Sequence, residues 1–291
     1  MEIALQFVLL ALGFVMLGKG ADWFVEGAAG IAMRFGIPQL VIGLTIVAMG
    51  TSAPEAAVSI AAAVKGNADI TIGNIVGSNI LNILIILGLA ASIVPIAVAR
   101  STVRIEIPFM IGVTALLFYQ GRDGSISLAD GGVLMVAFAA YMMYLYTMAM
   151  KSNVDSDLEE PGLPLGRCLL GAVGGLALII AGSNVTVGAA TSIATYAGLS
   201  ERFIGLTIVA LGTSLPELFT SVAAARRGNA DIAIGNIVGS NIFNILFVVG
   251  LSALIIDIPF ASAFNFDTYV ALGAAVLLWL CVLRTQRLQR W

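Results

Sequence analysis

Glu55 and Glu217 each close a short motif, GTSAPE and GTSLPE, inside an otherwise apolar run. Thr51 and Ser52 precede Glu55 by four and three positions, and Thr213 and Ser214 precede Glu217 likewise. At that spacing the hydroxyls and the carboxylate share about one face of a helix. Pro54 and Pro216 lack an N–H and crowd the carbonyls four residues back, at Gly50 and Gly212, so each helix is expected to break and free backbone oxygens. Broken backbone at membrane depth is tolerated only where it lines a cavity or is buried in protein.

Further along, Asn74, Ser78, Asn82 and Asn236, Ser240, Asn244 recur at i, i+4, i+8, one polar stripe on an apolar helix. We read Ser78, Asn82, Ser240 and Asn244 as cation ligands, and Asn74 and Asn236 as helix-pairing groups. Asp69 and Asp231, in GNAD turns, are expected to cap the helices that follow. The collected donors are all oxygen, a set that suits hard cations such as Ca2+ and Na+. Two carboxylates balance one divalent ion, two monovalent ions or two protons, the equivalence that exchange at a shared site requires.

Other chemistries are excluded or unsupported. The chain has no histidine, which removes histidine-based metal sites and triads, and it shows neither a nucleophile–base pair nor a cofactor motif. We therefore expect a protein that is not an enzyme and carries no cofactor. Cys168 and Cys281 read as small helix residues, and with a net charge of −3 and no basic run nothing points to nucleic acid.

The elements that position these groups come as a duplicate. The stretch from Gly43 to Asn82 recurs from Gly205 to Asn244 at a constant offset of 162 (217 − 55 and 244 − 82), with roughly two-thirds of positions matching and no gap. The match extends backwards, pairing Gly20-Ala21-Asp22 with Gly182-Ser183-Asn184 and Gly36 with Gly198.

Of 291 residues, 59% are hydrophobic and only 11% charged, against about 25% charged in soluble domains. Mean hydropathy is +1.02. The chain is read as an all-α polytopic membrane protein whose N-terminus is a retained first helix rather than a cleaved signal. Nine segments approach the ~20 apolar residues needed to span a bilayer: about 3–19, 38–64, 70–94, 103–119, 128–149, 166–186, 203–225, 231–256 and 267–283. The acidic linker around 151–165 divides a first unit (1–150, spans 1–5) from a second (166–291, spans 6–9). Span 5 has no partner, so by the logic of the repeat a tenth helix is missing.

With the N-terminus outside, eleven of the fourteen basic residues fall on the inner side, leaving only Lys65, Arg122 and Arg202 outside; the linker is then cytoplasmic. Five helices per unit is odd, so the second copy enters from the opposite side. Such inverted-topology repeats build secondary transporters with a binding site at the midplane. There an ionised carboxylate costs roughly 2.5 kcal/mol or more. No basic residue lies at the centre of any span to offset it, and a bound cation is the natural counter-charge. A channel with a carboxylate selectivity ring is the weaker reading, because the halves are inverted rather than rotationally related.

At GTSAPE and GTSLPE, each followed by GNIVGSN, the sequence resembles the cation/calcium exchanger superfamily, most of all its prokaryotic sodium/calcium exchangers. The resemblance covers nearly the whole chain. It implies ten helices in two inverted halves, with spans 2, 3, 7 and 8 around the ions, in the inner membrane of a prokaryote. It implies Na+/Ca2+ antiport by alternating access, with spans 1 and 6 sliding past that core. By motif position the ligands would be Thr51, Ser52, Glu55, Ser78, Asn82, Thr213, Ser214, Glu217, Ser240 and Asn244, joined by the carbonyls of Ala48 and Ala210. One departure stands at Asn244, where exchangers of this kind commonly carry aspartate. It opens the alternative of Ca2+/H+ antiport.

Overall fold

A computed structural model of the chain describes residues 2–66, 68–151, 163–200, 208 and 210–289. The membrane helices are α1 (Glu2–Phe35), the bent pair α2 (Gln39–Thr51) and α3 (Ala53–Val64), α4 (Ile70–Ile93), α5 (Thr102–Asp123), α6 (Leu128–Lys151) and α7 (Leu165–Tyr196). They continue with the pair α8 (Ala210–Thr213) and α9 (Leu215–Arg226), then α10 (Ala230–Ile255) and α11 (Ala263–Leu283). Seven described helices are long and apolar enough to cross a membrane, and the α2–α3 pair makes an eighth bent span. Most of the acidic linker, the start of span 7 at 201–207, and the Asp69 side chain lie outside the described residues, and so do the expectations placed on them.

The duplication is visible in the backbone. Glycines close helices with positive φ at Gly36 (+61°) and Gly198 (+78°), and again at Gly66 (+79°) and Gly228 (+78°). Both pairs are related by the offset of 162 that relates the sequences, and each occupies the left-handed position that glycine fills most readily at helix ends.

Four two-residue strands tie the connections together. β1 (Ile96–Ala97) pairs antiparallel with β4 (Arg287–Leu288), and β2 (Ser125–Ile126) with β3 (Ile258–Pro259). The connection after span 3 thus meets the segment after span 9, and the connection after span 4 meets the one after span 8. Each meeting joins places separated by an even number of crossings, as alternating spans require.

Two spans run longer than their apolar stretches suggest. α1 continues to Phe35 rather than ending near residue 19, and α7 to Tyr196 rather than 186. At about 1.5 Å per residue, 34 residues cover about 51 Å, well beyond the ~30 Å hydrocarbon core, so α1 runs oblique or protrudes. Of the polar residues within it, Lys19 and Glu26 are exposed and Asp22 is half-buried. The seam between α1 and α7 is made of glycine. A Cβ on Gly20 would stand 2.9 Å from the Gly175 carbonyl oxygen, and one on Gly27 would stand 2.4 Å from the Ala172 nitrogen. A Cβ on Gly182 would lie 3.0 Å from the Gly13 oxygen. The two backbones touch, as small residues permit in lipid.

α10 lies at the centre, with every residue from Ile232 to Phe243 buried. Apart from the polar residues Asn236, Ser240, Asn241 and Asn244, that buried surface is apolar on every side. Asp231 occupies its first turn but does not cap it: Asn229 holds the cap position, and no side chain bonds the free N–H groups. The Asp231 carboxyl, one turn inside, still faces the positive end of the helix dipole.

Candidate ion-binding site

The motif glutamates sit where the spans break. α2 and α3 meet at 51°, with Ser52 between them at φ −81°, ψ 5°. Ser214 adopts φ −92°, ψ 4° between α8 and α9. Each proline lies just inside the second segment, where its missing N–H costs nothing, and each glutamate falls in that segment's first turn. Helix N-termini therefore point at both carboxylates while the C-terminal ends of α2 and α8 approach the same region. In broken spans such ends receive anionic and cationic groups respectively.

Both carboxylates are buried, each 1% exposed. The halves hold them by exchange. Ser52 Oγ donates to Glu217 Oε1 at 2.8 Å, and Ser214 Oγ donates to Glu55 Oε1 at 3.4 Å. Each hydroxyl thus serves the carboxylate of the other repeat.

The helix-pairing assignment of Asn74 and Asn236 agrees with their contacts. Asn74 Nδ2 donates to the Glu55 carbonyl (3.3 Å) and to Ser59 Oγ (3.0 Å). Asn236 Nδ2 repeats this with the Glu217 carbonyl (3.3 Å) and Ser221 Oγ (2.9 Å). Thr51 Oγ1 turns toward α10 and donates to Asn236 Oδ1 at 3.0 Å.

The remaining candidates lie on the same helices. Asn82 and Asn244 are buried and open π-helical turns, Asn82–Leu87 and Asn244–Val249, a distortion that recurs at functional sites. Ser78 and Ser240 are buried one turn earlier. Ser240 Oγ donates at 3.3 Å to the Ala48 carbonyl, which also accepts the Ser52 N–H at 3.0 Å. Thr213 is half-buried at the end of α8, and Ala210 opens that helix. The Gly212 carbonyl, released next to Pro216, is taken by Ser183 Oγ of α7 at 2.8 Å.

Two residues that matter here escaped the sequence reading. Asn79 and Asn241 cross-link α4 and α10, each Nδ2 donating to the other's carbonyl at 3.1 Å. Their Oδ1 atoms then receive the amides of the ligand candidates: Asn82 Nδ2 donates to Asn241 Oδ1 (2.9 Å) and Asn244 Nδ2 to Asn79 Oδ1 (3.2 Å). The signal was present in the doubled SNILN and SNIFN, but at i+1 from Ser78 it falls off the i, i+4, i+8 stripe.

This network fixes which atoms remain. With Nδ2 committed, Asn82 and Asn244 turn Oδ1 the other way, and both oxygens are buried without a hydrogen-bond partner. So are Glu55 Oε2 and Glu217 Oε2. These are four oxygens in two repeat-related pairs, two of them on carboxylates, the donor type that hard cations take. Buried polar atoms ordinarily find partners, and these four have none in the structure.

Comparison with known proteins identifies a family. A family model described as sodium/calcium exchanger protein matches residues 5–147 and 168–291. The putative antiporter CaxA of Alkalimonas amylolytica is 42% identical, covering 100% of this chain and 93% of that protein. The sodium/calcium exchanger MaX1 of Methanosarcina acetivorans is 33% identical, over 99% and 94%. Among solved structures, the sodium-calcium exchanger NCX_Mj superposes with a TM-score of 0.87 at 34% identity, over 99% of this chain and 94% of that one.

Proposed function

From the membership of this chain in the sodium/calcium exchanger protein family, we propose that it is a secondary antiporter moving Ca2+ against Na+ through one site between the inverted halves. The observation that carries the reading is the set of four orphan oxygens on Glu55, Glu217, Asn82 and Asn244. A dehydrated Ca2+ replaces its water with these atoms, and its two charges cancel those of the carboxylates. Na+ ions cancel the same charge in sequence, so the two species exclude one another. Ser52, Ser214, Thr51, Thr213, Ser78 and Ser240 supply hydroxyl oxygens at the rim, and the Ala48 and Ala210 carbonyls complete the shell.

The carboxylates work by being held. A serine donor on each Oε1 fixes the carboxylate plane and leaves Oε2 to the ion, so little reorganisation accompanies binding. Alternating access follows from the inversion, as the backbone-packed pair α1 and α7 moves over the core and opens one side at a time. We infer that the protein lies in the prokaryotic inner membrane with its N-terminus outside and its central linker cytoplasmic, from the bias of its basic residues.

One observation favours a second reading. Position 244 carries an amide whose nitrogen is spent on Asn79, leaving two carboxylates to balance the counter-ions, and two protons would balance them as completely as Na+. Proteoliposomes given a Na+ gradient and a proton gradient separately decide between the two. Ca2+ uptake that follows the Na+ gradient at clamped pH supports Na+ exchange, and uptake that follows only the proton gradient replaces it with Ca2+/H+ exchange.

A further inference from the structure

A second buried carboxylate lies outside the doubled core. Glu106, in the first turns of α5, is 0% exposed. At the offset of 162 Glu106 falls on Thr268, next to Asp267, in the second repeat. Tyr144 Oη of α6 donates to Glu106 Oε1. Glu106, Ile105 and Phe109 of α5 face Ala140, Tyr141 and Tyr144 of α6 across a cleft of about 250 Å3.

Three oxygens of this cluster are buried without hydrogen-bond partners: Glu106 Oε2, Tyr141 Oη and Thr102 Oγ1. Thr102 stands one helical turn before Glu106, on the same face. The turn between them is π-helical, and the carbonyl of Val103 within it accepts the Trp279 indole N–H at 2.8 Å. The distortion is thereby satisfied from α11, and the side-chain oxygens are not. Arg104, two residues away, is exposed. The ion pairs found among the described residues both belong to Arg227, at a distant place.

We propose that Glu106, Tyr141, Tyr144 and Thr102 form a second cation site that takes one monovalent metal ion, such as Na+. A membrane-embedded carboxylate needs a counter-charge, and among the described residues no ion pair supplies one. A single carboxylate balances a single charge, which disfavours a divalent ion. A proton on Oε2 would provide one hydrogen bond, whereas a cation gathers carboxylate and hydroxyl oxygens together. In the second repeat the Thr268 hydroxyl is committed to the Phe264 carbonyl at 2.7 Å.

The test uses the full chain in lipid nanodiscs, with Glu55→Gln and Glu217→Gln introduced together so that the core cannot contribute. A hydrophobic carbodiimide, which attacks protonated carboxyls from the lipid, is followed by mass spectrometry of the peptide containing Glu106. Labelling at Glu106 that falls about tenfold at a Na+ concentration ten times the half-maximal value, as single-site occupancy requires, supports the site. Choline chloride at equal ionic strength should have no effect, and Tyr141→Phe should raise the Na+ needed. Labelling indifferent to Na+ overturns the proposal and leaves a proton site. A parallel melting curve covers the case in which the reagent fails to reach the carboxyl. Na+ should raise Tm in the same background and not when Glu106→Gln is added. Absence of both the label and the Na+-dependent shift also overturns it.

Discussion

Ser52, carried by the first repeat, donates its hydroxyl at 2.8 Å to Glu217 of the second, while the equivalent bond from Ser214 to Glu55 is stretched to 3.4 Å. Hydrogen bonds to charged groups contribute about 1.5–3 kcal/mol and weaken with length. Ser52→Ala should therefore lower Ca2+ affinity by about tenfold or more, and Ser214→Ala by less. Equilibrium Ca2+ binding by calorimetry on both variants checks the order.

Glu55→Gln and Glu217→Gln should each abolish Ca2+ uptake into vesicles preloaded with Na+. Neither should unfold the protein, because each removes one of two buried like charges. Tm equal to or above that of the parent, with no uptake, is the expected pair of results.

Protons compete with metal ions for the same oxygens. A carboxylate is a ligand only when ionised, so apparent Ca2+ affinity should fall as pH is lowered and recover as it is raised. The effect should vanish in the double glutamine variant, where residual binding no longer depends on those groups. Isotope binding across a pH series at fixed Na+ measures it.

Adjacent glycines of α7 make opposite predictions. A Cβ on Gly175 would meet the Phe24 nitrogen at 2.4 Å and the Gly20 oxygen at 2.7 Å, both backbone atoms, whereas one on Gly174 meets nothing within 4 Å. Gly175→Ala should cost about 1–3 kcal/mol, the range for overpacking, and lower Tm. Gly174→Ala should leave Tm unchanged or raise it slightly.

Arg227, after α9, pairs with Asp22 (3.4 Å) and Glu26 (3.1 Å) of α1. Partly exposed pairs contribute about 0–1 kcal/mol each, so Arg227→Gln should shift the position of α1 against α9 by no more than a few-fold in population. High salt should mimic it. Distances between spin labels on the ends of α1 and α9 would show a longer component gaining weight.

How far the site was legible follows from what sequence spacing encodes. Glu55, Glu217 and their hydroxyls were legible because they recur at one offset and sit in apolar runs where charge is costly. Asn74 and Asn236 were separable from Asn82 and Asn244 by depth along one stripe. Asn79 and Asn241 were not, since their role depends on which faces of α4 and α10 meet, a tertiary fact. Glu106 stands near a span's end, where a charge looks solvated; only the packing of α6 over it removes water. The lengths of α1 and α7 were hidden for a related reason. Helix continuity there rests on glycine contacts between two distant segments, while hydropathy records only where side chains become polar.

The mirrored halves also carry a thermodynamic consequence. Turning the molecule inside out amounts to letting each repeat assume the other's posture, so every residue shared by both contributes equally to the two postures and cancels from their difference. What remains is written in the mismatches. Asp22 faces Arg227, yet the corresponding pair across the molecule is Asn184 and Lys65, an amide and a cation with no attraction to match. The balance of the protein between one vestibule and the other thus resides in the positions where the repeats differ, and exchanging Asp22 with Asn184 should shift it by no more than a few-fold.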